Sequence, residues 1–431
     1  MTGSSETINK YDEYGRNRRL YLAECVFEYL ISILVTGSYL AKLTTSIGIS
    51  DEMTAILSEL TTVSGIFQIF SIYLSHKRPV KKWLMPLMIL PQILFALVYL
   101  IPLFDLKLSS SVLLFVIILL ARSLASVCGP VKIGWLISYV EPSKRGRFTA
   151  TNTIISLLAS IAFTFVIGVL IDYYEALGDL NKAYLIFSII ILVFTVFHFL
   201  TLLFVKDDPN LNTEKKTSPF GSMKNLLSNR EFKRVTLLYT IVSIAGAVIT
   251  PFLGTFQINE LGFSMTLIST LNIIMTVLNV VCVFLVGKYS VHTKYSKLII
   301  SSVYFYSIAF IFIAMSTTAT GLVTYTLYHI VMLISGAYYT IGVNNLLYDI
   351  VSPEERVSAL ALKTIVTSIA GFATTLLFTP LVTYIQGAGN TFLGLKVYAQ
   401  QVLAVIAVLI YVIAMLFYHL ACKKLLDKKN V

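Results

Sequence analysis

The chain has 431 residues, 57% of them hydrophobic and only 13% charged, with a formal charge of +11. A water-soluble domain of that composition would expose a large apolar surface, whereas runs of roughly 20 apolar residues suit helices crossing ~30 Å of hydrocarbon. A soluble protein is therefore excluded, and the scatter of the positive charge over short segments argues against nucleic-acid binding.

In chain order, residues 1–20 are polar and lack the apolar core and small-residue cleavage site of a signal peptide, so none is expected. Apolar runs at 21–47, 53–75, 83–104, 112–140, 148–171 and 183–205 predict six spanning helices. Residues 206–234 form the longest polar interruption. Within it, Phe220, Met223, Leu226 and Leu227 alternate with Lys224, Arg230 and Lys233, a pattern that fits a short surface-lying helix or a solvated loop. Six more runs follow at 235–258, 265–286, 298–315, 322–350, 357–385 and 397–420, before a tail at 422–431. The expected fold is an all-α membrane protein with 12 transmembrane helices, in two pseudo-symmetric six-helix bundles at 21–205 and 235–421.

An even number of spans puts both termini on one side. Of the 33 Lys and Arg residues, 26 lie on that side, whereas the opposite loops hold Lys107, Lys182 and Lys396. The positive-inside bias then predicts cytoplasmic termini and a multi-pass protein of the plasma (inner) membrane. Cys25, Cys128, Cys282 and Cys422 fall within spans or on the cytoplasmic side, where thiols stay reduced, and their spacing fits no metal site.

The connection after the fourth span reads Glu141-Pro142-Ser143-Lys144-Arg145-Gly146-Arg147, and that after the tenth reads Ser352-Pro353-Glu354-Glu355-Arg356-Val357-Ser358. Each has a Pro followed three residues later by Arg, at equivalent places in the two halves, as a duplicated six-span unit would leave. With twelve spans and a long basic central loop, the chain resembles the major facilitator superfamily over essentially its full length. The stretch 142–147 looks like that family's loop between helices four and five, and Arg122 sits where many members carry an arginine. Two departures stand out. The loop Ser75-His76-Lys77-Arg78-Pro79-Val80-Lys81-Lys82 lacks the Asp and both Gly of the family's signature, and 148–171 lacks the Gly-Pro pair of many drug/proton antiporters. The resemblance implies that helices one, four, seven and ten line a central cavity.

Charged side chains in hydrocarbon cost roughly 2.5 to 3.5 kcal/mol even on insertion scales, so each one inside a span needs a reason. Glu24 and Glu28, four apart, share one face of the first helix. Glu28 and Lys132 of the fourth helix both lie roughly 10 to 12 Å deep at ~1.5 Å per residue, so they can pair. Glu28, helped by Glu24, is expected to exchange a proton or bind a cation, with Lys132 neutralising it in one state; a fixed structural pair is the plainer alternative. Arg122, near mid-membrane, must face water, a carboxylate or an anionic substrate, and the resemblance implies a part in proton transfer. Ala121, Ala125 and Gly129 beside it form a small-residue stripe suited to close helix packing.

Lys42 and Glu59 match in depth from the outer side, as a structural pair or an outer gate. The second half offers His329, Asn344 and Asn345 on the tenth helix and Lys363 on the eleventh. His329 can titrate physiologically or simply pack among tyrosines. Tyr325, Tyr328, Tyr338 and Tyr339, with Trp135 on the fourth helix, can stack on a sugar ring or an amphiphile, or serve packing. Glu141, Arg145, Asp349 and Arg356 can close the inner mouth by ion pairs, or remain solvated loop charges.

There is no phosphate-binding Gly-rich loop, no nucleophilic constellation and no His/Asp/Glu cluster of an embedded enzyme, so no cofactor is expected. The expected function is secondary active transport of a small polar solute by alternating access, coupled to a proton or cation, by a monomer in a lipid bilayer. A proton-coupled multidrug exporter is the runner-up, and a non-transporting sensor or scaffold the rival from another class.

Overall fold

The computed structural model describes residues 14–74, 80–104, 109–141, 144–206, 225–290, 293–351 and 356–423. Eleven helical stretches among them are long and apolar enough to cross a membrane, and a bent pair makes a twelfth. Among the described residues each run predicted from composition falls mainly on helix, and the stretch Met265–Val286 coincides with the predicted one. Large apolar side chains such as Leu158, Phe284 and Leu377 lie exposed on these helices, as lipid-facing positions require.

The chain divides into two compact units, 1–39 with 67–217, and 40–66 with 218–431. In the first unit, α1 (Gly15–Leu34) precedes a bend; α5 (Val80–Val98) packs against α6 (Ser109–Ile137) and α8 (Leu180–Phe204), and α6, α7 (Arg145–Ala176) and α8 pack against α1. Between the bend and α5, α2 (Gly37–Ser46) passes from the first unit into the second at 39–40, α3 (Asp51–Val63) belongs to the second, and α4 (Ile69–Leu74) belongs to the first. The rest of the second unit is α9 (Arg230–Ala247), α10 (Met265–Ser290), α11 (Tyr295–Ala314), α12 (Gly321–Ile350), α13 (Arg356–Gly387) and α14 (Ala399–Phe417). A short hairpin pairs Thr391–Phe392 with Leu395–Lys396 between the last two helices. Two of the crossings between units lie near irregular backbone: that at 39–40 follows the bend, and that at 66–67 falls in the 3-10 turn Ser64–Gln68.

The bend is the main departure from the predicted spans. The run 21–47 reads as one helix, yet α1 and α2 meet at 41°. Gly37 adopts φ +54°, a left-handed conformation that L side chains rarely take, and the Thr36 hydroxyl donates back to the Ser32 and Ile33 carbonyls at 3.1 Å. A broken helix frees carbonyls, which inside a membrane must be met by other donors. Here the Tyr99 hydroxyl donates to Leu34 O at 2.5 Å and Arg122 Nη2 donates to Val35 O at 2.9 Å.

Several basic residues counted above as a topology signal also cap helices. Lys81 Nζ donates to Leu203 O and Val205 O at 2.6 and 2.7 Å at the end of α8, and Arg234 donates to Ala421 O at 3.1 Å beyond α14. A cation there meets orphan carbonyls and the negative end of the helix dipole together.

Candidate functional site

The residue types that sequence singles out converge in the first unit, around a cavity of about 460 Å³ lined by α1, α5, α6 and α7. α1 presents Glu24 and Glu28 on one face, and α6 presents Lys132 opposite them. Lys132 Nζ is 3.0 Å from Glu24 Oε1 and is also paired with Glu28 Oε2. The three side chains differ in access: Glu24 is 1% exposed and Lys132 7%, while Glu28 is 44% exposed and lines the cavity.

Behind Glu24 lies a residue that the sequence reading passed over. His198 of α8, fully buried, places Nε2 3.1 Å from Glu24 Oε1, and its Nδ1 is met by Gln92 Nε2 of α5. Both ring nitrogens are thereby engaged by side chains, Nδ1 by Gln92 and Nε2 by Glu24. The Cys25 thiol donates to Glu24 Oε2 at 3.3 Å. A carboxylate sealed in hydrocarbon is tolerated only with such a full set of partners. The rule that every ionisable residue in a span needs a reason applied to His198 as much as to His329, and was the signal available.

Arg122 lines the same cavity, 8% exposed, with its guanidinium 4.8 Å from the centroid of the Phe95 ring. Its Nη2 holds the Val35 carbonyl at the bend, and its Nε has no partner. Two acceptors on cavity-lining side chains, Gln92 Oε1 and Asn152 Oδ1, are likewise unpartnered. The small-residue stripe does not tighten packing as expected. Ala125 and Gly129 line the cavity, and a Cβ added at Gly129 meets no atom within 4 Å.

Other expected site residues lie elsewhere. Trp135, 2% exposed, packs edge-on against Tyr139 in the core beneath Lys132 and presents no open face for stacking. Tyr325 and Tyr328 are equally buried, and His329 sits between their rings at 4.8 and 5.1 Å, which makes it part of an aromatic core. Tyr339, by contrast, lines a second cavity of about 250 Å³ with Tyr306 and Tyr411 in the second unit. Lys363 lies 5.9 Å from the Tyr239 ring centroid. Glu59 is reached by the Thr62 side chain. Glu141 pairs locally with exposed Lys144 at 2.6 Å. The side chains of Arg145, Asn344, Asn345, Asp349 and Arg356 lie outside the described residues.

A polar cluster in the second unit was not foreseen. Asp51, buried at the start of α3, accepts from Asn259 Nδ2 and Gln386 Nε2, each at 2.8 Å, and nearby Glu260 accepts from Asn390 Nδ2 at 3.1 Å.

Many-span helical architecture with paired ionisable groups around a cavity defines a class, the multi-pass membrane transporters. Residues 21–375 match the Major Facilitator Superfamily, and the chain belongs to that superfamily of transporters. No curated protein matches the sequence. Among solved structures, a point mutant of the nucleoside transporter NupG is similar at TM-score 0.74 and 13% identity, over 94% of this chain and 99% of that one. A bacterial homolog of the human lysosomal transporter Spinster, inward-facing and unoccupied, is similar at 0.69 and 15%, over 98% of each chain. A D-xylose-proton symporter is similar at 0.62 and 15%, over 91% of this chain and 95% of that one. These likenesses establish the fold of the superfamily.

Proposed function

We propose that the protein is a secondary active transporter of the plasma membrane, a monomer with both termini cytoplasmic, that moves a small polar solute by alternating access with a proton as coupling ion. The observation that carries this reading is Lys132, buried between a sealed acid, Glu24, and an acid open to the cavity, Glu28. With Glu28 ionised, the ammonium is shared by both carboxylates. A proton reaching Glu28 from the cavity neutralises it, releases its hold on Lys132 and leaves the ammonium on Glu24 alone. The cavity wall then differs by one charge between the two states, which is the differential interaction a coupling ion needs to bias a conformational equilibrium.

His198 and Gln92 act as positioning residues, holding the Glu24 carboxylate so that Lys132 has a fixed anchor when Glu28 lets go. The 26 basic residues on the side of the termini support the orientation. The polar solutes named for the similar nucleoside transporter and D-xylose-proton symporter agree with a polar cargo.

The test is reconstitution into liposomes with a panel of labelled solutes, with and without an imposed pH gradient. The wild-type protein accumulates its solute when the gradient is present. Glu28→Gln, fixed in the protonated-like state, keeps solute exchange and loses gradient-driven accumulation. Accumulation by Glu28→Gln with unchanged pH dependence contradicts the coupling role.

A further inference from the structure

Resting on that transport reading, we infer that the cavity of the first unit takes a small organic monoanion bearing hydroxyl or N–H donors, its carboxylate against Arg122, and that this anion crosses with one proton and no net charge. Arg122 is the starting point. Among the described residues no carboxylate pairs with it; its polar partner is a backbone carbonyl, and its Nε is buried without a partner, on a side chain that lines the cavity. A guanidinium so far removed from water lacks the counter-anion that its burial calls for, and its planar fork matches a carboxylate.

The charge count gives the stoichiometry. Lys132 is matched by Glu24 and Glu28, which, with His198 counted as neutral, leaves this group one negative charge in excess when both acids are ionised. Arg122, ten residues away on α6 and so ~15 Å along the helix, cancels that excess over the cavity as a whole. A proton on Glu28 therefore leaves one uncompensated positive charge, at Arg122, and one bound anion restores neutrality. The titratable groups around Glu28 are Tyr21, Glu24 and Cys25 from α1 and Cys128 and Lys132 from α6, with His198 reached through Glu24. From α5 and α7 the cavity receives Gln92 and Asn152, which do not titrate. Each carries a buried amide oxygen without a hydrogen-bond partner, Gln92 Oε1 and Asn152 Oδ1, which a donor on the solute meets once the side chain turns toward the cavity. The volume of about 460 Å³ suits a molecule the size of a sugar acid.

Three probes of one carbon skeleton and different charge test this: labelled gluconate, glucose and glucosamine, offered to the full chain in liposomes. Gluconate alone is expected to accumulate under an inward proton gradient, at a rate unchanged when a membrane potential is imposed. Arg122→Gln is expected to reduce gluconate flux by about tenfold or more. Because that change also removes the donor at the α1 bend, Asn152→Ala serves as the second variant. It leaves the bend intact and raises the apparent KM for gluconate by about 5- to 10-fold. Transport of glucose or glucosamine with gluconate excluded overturns the anion inference and leaves the transport reading standing. Gluconate entry that follows the membrane potential overturns the one-to-one balance. A wild-type protein that neither moves any of the three nor gains melting temperature in their presence overturns the inference as well.

Discussion

Glu24 and Glu28 are the same residue type on one helical face, and the packing around them assigns opposite fates. Glu24 is closed in by Lys132, His198 and Cys25, while Glu28 meets Lys132 from the cavity side. Removing the shared cation strands a sealed carboxylate, so Lys132→Met should lower stability in detergent by about 3–5 kcal/mol. The double variant Glu24→Gln/Lys132→Met should recover most of that loss, measured as the melting temperature of the purified protein. A double variant no more stable than the single one would show that the pair is not what anchors α1 to α6. The acids and Lys132 were legible in the sequence because charges in hydrocarbon are rare and their depths can be counted. Trp135 and Tyr325 were not, because an aromatic residue in an apolar run reads the same whether its ring faces a cavity or a core. His198 was hidden for a related reason: a single imidazole between Phe197 and Phe199 looks like a packing residue until its partners on α1 and α5 are known.

At the scale of the element, the bend between α1 and α2 and a close approach of α12 to α11 carry distinct predictions. The Tyr99 hydroxyl and the Arg122 guanidinium together satisfy the carbonyls the bend releases. Tyr99→Phe leaves the buried Leu34 carbonyl without that donor and should cost about 1–3 kcal/mol, read as a lower melting temperature. Gly342 of the second unit and Gly129 of the first should respond oppositely to a methyl group. A Cβ at Gly342 in α12 would stand 2.8 Å from Ile299 Cγ1 and 3.2 Å from the Ile299 backbone nitrogen in α11, whereas one at Gly129 meets open space. Gly342→Ala should therefore destabilise by about 1–3 kcal/mol through overpacking, while Gly129→Ala is tolerated. Equal melting temperatures for the two variants would contradict this account of the helix contacts. The spans themselves were legible from hydropathy alone, since a bilayer demands long apolar runs. The bend was not, because Thr36 and Gly37 interrupt an apolar run too briefly to change its composition.

At the scale of the whole molecule, charge asymmetry and membrane fold predict an orientation that can be read directly. A cysteine placed at Lys182 should react with a membrane-impermeant thiol reagent added to intact cells, and one placed at Lys294 should react only after permeabilisation; the reverse pattern would invert the assigned topology. The superfamily was legible because twelve spans, a basic central linker and repeated Pro/Arg connections are properties of the chain. The cluster of Asp51, Asn259, Glu260, Gln386 and Asn390 was not, because charged and amide residues near helix ends are ordinarily solvated and nothing in their spacing marks them as partners. The central claim is that Glu28, sharing Lys132 with a sealed Glu24, is where a proton is exchanged during transport. Proton movement recorded with a pH-sensitive dye inside liposomes, on addition of a transported solute, tests it most directly. The account predicts solute-dependent proton entry with the wild-type protein and none with Glu28→Gln, although that variant still exchanges solute. Solute-dependent proton entry of equal size through both proteins would contradict it.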